Sequence, residues 1–213
     1  MKKYTFALLV AAVLLSFGCQ KTYYKTMEAF GKHKRDLLVD RVEDARDAQQ
    51  DTKEQFASAL EKFTAVLDYQ GGDLQEKYDQ LNQEYQKSSS KASAVSKRID
   101  DVESVSEDLF REWENELAEY RDEKLRNSSK NKLDQTKNRY NQLINAMKKA
   151  EAKIDPVLSA FHDQLLYLKH NLNAQAISSL QTELSSVEAD IESLIREMEN
   201  SIAQANDFIK AME

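Results

Sequence analysis

The sequence predicts an all-α protein, an elongated antiparallel bundle of about four long helices with heptad, coiled-coil-like seams. Three observations lead there. Between residues 74 and 120 apolar residues recur in steps of four and three, at Leu74, Tyr78, Leu81, Tyr85, Ala92, Val95, Ile99, Val102, Leu109, Trp113 and Tyr120, with Ser88, Ser106 and Glu116 in the intervening slots. A stripe of that length cannot bury itself on one helix and calls for partners. The 213 residues include only four Gly and one Pro, so chain-breaking punctuation is scarce. Finally, 41% of residues are apolar and fall in register, which argues against disorder despite a mean hydropathy of −0.70.

Residues 1–18 read as a leader outside the fold. Lys2 and Lys3 precede an apolar run over residues 6–15, too short to span a bilayer as a mature helix. Ser16-Phe17-Gly18-Cys19 follows, small residues before the chain's single Cys, as in a lipobox, with cleavage after Gly18 and acylation of Cys19. The usual Leu three residues before the Cys is Ser16 here, and an ordinary secretory signal is the competing reading. Acylation, palmitate included, removes the odd thiol that such a signal would leave exposed. Three acyl chains suffice for stable anchoring. Gln20 after the Cys, by resemblance to bacterial lipoprotein sorting, implies the outer membrane with the protein facing the periplasm.

The remainder, 19–213, reads as one helical-bundle domain with helices at about 23–69, 73–126, 130–170 and 174–212. The first carries Leu38, Val42, Ala45, Gln49, Thr52, Phe56, Ala59, Phe63 and Val66 on one stripe. Gly71-Gly72-Asp73 is the clearest turn, with Asp73 and Glu76 as a capping-box-like pair for the second helix. Looser winding is expected at Ser88-Ser89-Ser90 and at Ser104 to Ser106. Asn127-Ser128-Ser129 is the expected second turn. The third helix carries Leu133, Tyr140, Leu143, Met147, Ala150, Ile154, Val157, Phe161 and Leu168. Pro156 implies either a kink or short break near Asp155, or a new helix that Asp155 caps with Pro156 at its first position. His170-Asn171-Leu172-Asn173 is the third junction. The fourth stripe runs through Ile177, Leu180, Leu184, Val187, Ile191, Leu194, Met198, Ala205, Phe208 and Met212. Helices this long make a rod of roughly 60–80 Å, with the Asn127 turn near the membrane and the Gly71 and Asn171 turns at the far end.

Little in the sequence points to catalysis. The three His are His33, His162 and His170, and none follows a Glu by three residues, so the ligand pair of di-iron bundles is missing. His162 and His170 would stand about 12 Å apart along a helix, too far to share a metal. No phosphate loop, dinucleotide fingerprint or nucleophile elbow occurs. The reading is a non-enzyme with no cofactor and no metal site. Nucleic acid is not an expected partner of an acidic, exported chain. Residues 100–123 hold eleven acids against Arg111 and Arg121, and residues 124–139 hold six basic residues against Asp134. These blocks either pair between neighbouring helices or present a docking face for a basic partner. Trp113 lies on the seam, a core position.

Four strings, Gly71-Gly72-Asp73-Leu74, Leu109-Phe110-Arg111-Glu112-Trp113-Glu114, Ala150-Glu151-Ala152-Lys153 and Leu168-Lys169-His170-Asn171-Leu172-Asn173, together resemble a family of uncharacterised Gram-negative bacterial lipoproteins. In that family a helical domain of unknown function covers essentially the whole chain. Relatives are sometimes labelled DNA-repair ATPases, a label that this sequence, lacking a phosphate loop, does not fit. The resemblance implies shape and location and supplies no functional residues.

The expectation is therefore a lipid-anchored periplasmic scaffold, spacer or adaptor, attached to the membrane through Cys19 and contacting envelope proteins. Lys32, Lys34 and Arg35 are candidate headgroup contacts. Gly71, Gly72, His170, Asn171 and Asn173 are candidate partner contacts. The alternative is a periplasmic binder or chaperone for an apolar small ligand held near Ser88 and Ser104. Oligomeric state is left open.

Overall fold

The computed structural model describes residues 34–67, 73–171 and 174–212. They form five helices: α1 (Lys34–Leu67), α2 (Leu74–Leu117), α3 (Glu123–Glu151), α4 (Ile154–His170) and α5 (Ala174–Met212). No strand occurs among the described residues. The protein is an all-α bundle of four antiparallel passes, the third made of α3 followed by α4.

Cross-helix pairs give the register. Lys34 meets Glu112 at 2.6 Å, Asp44 meets Arg98 at 3.3 Å, and Lys62 meets Glu84 at 2.5 Å, so α2 runs back along α1. Arg46 donates to Asn206 at 3.3 Å, and Lys53 pairs with Glu199 at 3.5 Å, so α5 is antiparallel to α1. Phe110 packs edge-to-face on Tyr140 at 5.3 Å, and Glu103 meets Lys148 at 2.5 Å, so α3 is antiparallel to α2. On α4, Phe161 reaches across the core to Phe63 at 5.8 Å and Phe56 at 6.5 Å. α2, with 44 residues, is about 65 Å long.

Each helix buries one face. On α1, Leu38, Val42, Ala45, Phe56, Ala59, Phe63 and Val66 are all buried, and on α5 so are Ile191, Leu194, Met198, Ala205 and Phe208. The stripe of α2 is buried from Leu81 to Leu109 except at Tyr85, which is partly covered, as is Trp113, and Tyr120 is 40% exposed. The acidic and basic blocks meet at Glu114 and Lys137, while Glu103 and Glu112 of the acidic block pair outside the basic block, with Lys148 and Lys34.

The second turn falls elsewhere than expected, and the third pass has a short break just before Asp155. α2 stops at Leu117, and Asn127-Ser128-Ser129 lies inside α3. The physical reason is Asp122, whose carboxylate accepts the N–H of Lys124 at 2.8 Å and of Leu125 at 3.1 Å, two donors that a helix start otherwise leaves unpaired. The third pass breaks at Ala152-Lys153. Pro156 is the third residue of α4, where no intrahelical amide bond is lost, and Asp155 sits in the first turn rather than capping it. The described residues thus form five helices in four passes. Across both Ser clusters α2 remains continuous, because Ser88 and Ser106 return their hydroxyls to the carbonyls of Glu84 and Glu103 at 2.8 Å. Asp73 caps α2 through the N–H of Gln75 at 2.8 Å, while Glu76 accepts from Gln80 instead of closing a box. On the surface Arg111 pairs with Asp108 and Arg126 with Glu123, while Asp122 serves as the cap.

One polar contact crosses the core. Ser201 of α5 donates to Gln49 Oε1 of α1 at 2.7 Å, both side chains fully buried, and Gln49 Nε2 has no partner. A buried donor without an acceptor is costly, whereas replacing both partners by apolar groups removes that cost. Gln49→Leu combined with Ser201→Ala is therefore expected to raise unfolding stability by about 1 kcal/mol, measured as a higher urea midpoint at unchanged slope.

Candidate functional site

The end of the bundle at which α1 begins is set by the Lys34–Glu112 pair, which places it beside the last turns of α2. There α2 and α3 form a hairpin. At its base the indole N–H of Trp113 donates to Ser129 Oγ at 2.8 Å, with the ring half-buried against the core. Just inward, Lys137 lies 5.5 Å above the Phe110 ring while pairing with Glu114. Beyond this bracing every residue from 118 to 128 is exposed. The Lys149–Glu197 pair, at 2.8 Å, sets α5 against α3 so that Met212 falls short of the hairpin turn.

Of the candidate headgroup residues, Lys34 is turned to Glu112 with its side chain 17% exposed, while Arg35 faces solvent. Cys19, Gly18, Lys32, Gly71, Gly72 and Asn173 lie outside the described residues. At the opposite end His170 is exposed, and Asn171 closes α4 with its side-chain amide donating to Tyr167 O at 2.9 Å. Thus Arg35 and His170 belong to opposite ends, and among the described residues no side-chain cluster joins the candidate sites.

Two hollows bear on ligand binding. An apolar void of about 10 Å³ between Phe63, Leu81, Phe161 and Leu165 has room for about one water and none for an apolar cargo. A groove of about 520 Å³ lies outside the core, where Ser89, Ser93 and Ser96 of α2 face Lys148, Glu151 and Leu158 across the α3–α4 break. Among the described residues no group of three or more His, Cys, Asp or Glu is placed to hold a metal ion, and no helix is long and apolar enough to cross a membrane.

The most unusual electrostatics belong to Glu84, which the stripe analysis passed over. It stands three residues after Leu81 and four before Ser88, on the buried side of α2, and is 4% exposed. That spacing was the signal available for it. Burial pushes its carboxyl upward, but hydrogen bonds from Lys62 (2.5 Å), Lys87 (2.9 Å) and Gln55 (2.8 Å) outweigh burial and bring the pKa down to about 2. The side chain therefore staples α1 to α2. Tyr140 is held above its ordinary range by burial.

The fold and these ends define a class: an all-α bundle in which ion pairs such as Lys34–Glu112, Lys62–Glu84 and Lys148–Glu103 join neighbouring helices. Residues 23–212 match the family described as "Protein of unknown function (DUF2959)", and the chain belongs to that family. No curated protein and no solved structure matches it.

Because Glu84 is lowered from 4.5 to about 2 on folding, its pairs stabilise the protein above pH 4.5, and that contribution is lost as pH falls towards 2. With Lys62 and Lys87 half exposed, the effect is about 2 kcal/mol after screening. Glu84→Gln should lose about that much at pH 7 and flatten the fall in stability between pH 5 and pH 2, as read from urea titrations across pH.

Proposed function

We propose that this protein is a lipid-anchored post of the bacterial cell envelope, a non-enzymatic scaffold, spacer or adaptor held in the outer membrane through acylated Cys19 and facing the periplasm. The support in the sequence is the basic, apolar leader running into Ser16-Phe17-Gly18-Cys19. The observation that carries the reading is the Lys34–Glu112 pair, which makes the bundle directional. Fifteen peptide steps separate Cys19 from Lys34, a reach of at most about 50 Å. The anchored end is then the one bearing Arg35, with Lys32 and Lys34 close by in the chain. The end bearing His170 and Asn171, and in the chain Gly71, Gly72 and Asn173, stands about a helix length, roughly 65 Å, from the bilayer. A rigid bundle of that length sets a spacing between the membrane and whatever binds its far end.

A second reading, a binder of a small amphipathic or apolar ligand, is favoured by the groove beside Ser89 and Leu158. Organic extraction of the purified protein followed by mass spectrometry separates the two, since a binder carries a stoichiometric small molecule and a post does not.

Cys19→Ala is expected to move the protein from the membrane pellet to the soluble periplasmic fraction. The wild-type N-terminal peptide should begin at Cys19 and carry the mass of its acyl chains. An unmodified mature terminus elsewhere contradicts the anchoring.

A further inference from the structure

We propose that the α2–α3 hairpin tip is a second membrane contact, inserting Tyr120 and Leu125 at the lipid headgroup level and so fixing the orientation of the anchored post; this rests on the anchoring proposed above. Four large hydrophobic side chains are strongly exposed among the described residues, and two of them, Tyr120 (40%) and Leu125 (59%), stand within one turn region at this tip. The tip lies at the same end as Lys34, the end to which Cys19 is tethered. It also protrudes: residues 118–128 are all exposed, and the Trp113–Ser129 bond and Asp122 cap beneath it hold its shape.

The chemistry fits a bilayer surface. A Tyr ring with its hydroxyl outward suits the boundary between headgroup and acyl chain, and Leu125 adds apolar surface beside it. Arg121 and Lys124, exposed alongside, have stems long enough to keep their charges among phosphates while the apolar pair is buried. Charge alone does not account for the contact. Between residues 119 and 126, Arg121, Lys124 and Arg126 are balanced by Glu119, Asp122 and Glu123, so insertion rather than attraction to anionic lipid carries it. Two side chains do not hold a protein on a membrane by themselves. They act here because the acyl anchor keeps the tip at high local concentration near the surface.

The test uses the full-length lipidated protein, whose acylated Cys19 leaves an introduced Cys as its one free thiol. Leu125→Cys and Leu166→Cys are each labelled with a small fluorophore and reconstituted into vesicles of phosphatidylethanolamine and phosphatidylglycerol containing headgroup-level nitroxide lipid. Quenching at 125 several-fold above that at 166, at the opposite end, is the expected result. It should persist when phosphatidylcholine replaces phosphatidylglycerol and fall towards the 166 level in Tyr120→Ser, with flotation unchanged. Equal quenching at both sites, or loss of quenching without anionic lipid, in protein that still floats with the vesicles overturns the tip contact and leaves the anchoring intact. Lipidated protein that does not float overturns the anchoring, and the tip contact with it.

Discussion

Every helix here has one apolar face, and each face must find cover along its whole length. With so little Gly and Pro in the chain, there are few places to turn, so the faces become long and the connections short. Four antiparallel passes satisfy that demand: α1 lies against α2 and α5, and the combined α3–α4 pass closes the fourth side. The charged residues then select one register among the many that burial alone would allow. Lys34–Glu112, Asp44–Arg98 and Lys62–Glu84 are spaced along the full length of the first hairpin, and a shift by one heptad would separate all three. Most are half exposed and contribute little stability singly; Glu84, buried among three donors, is the exception. Gln49 and Ser201 do for α1 and α5 what those pairs do for α1 and α2, at a cost in burial that leaves one amide N–H unpaired.

The all-helical class was legible because the stripes are long and consistent. Val42, Phe56, Leu143, Met147, Ile191 and Leu194, all read as apolar-stripe positions, are buried in the fold. Helix ends were less legible, since several residues near each end have suitable capping chemistry and periodicity passes through the turn undisturbed. The sequence predicts the second turn at Asn127-Ser128-Ser129, whereas Asp122 caps α3 five residues earlier. Packing adds to that cap, because α5 ends before the tip and residues 118–128 are exposed. Pro156 points to a short break near Asp155, which falls at Ala152-Lys153, but not to its cap, since Pro is tolerated in a helix's first turn. Glu84 went unread because a carboxylate on the apolar side of a stripe looks like a mismatch until Lys62, Lys87 and Gln55 are placed around it.

For the candidate sites the sequence offers residue chemistry alone, without geometry. A lone Cys after small residues suggests an anchor by composition, while the shape of the far surface depends on which helices meet there. The fold adds direction: one end collects the start of α1 and the exposed hairpin, the other collects Asn171 and the exposed Leu166 and Tyr167.

The account depends most on the antiparallel placement of the last helix against the first. In a Cys19→Ser background, nitroxide pairs introduced at exposed positions 47 and 207, and at 47 and 182, report it by pulsed electron resonance. The fold predicts a short, narrow distance for 47–207 and one longer for 47–182, the two α5 positions being separated by about 37 Å along the helix. A long 47–207 distance, or a broad distribution covering both, contradicts it.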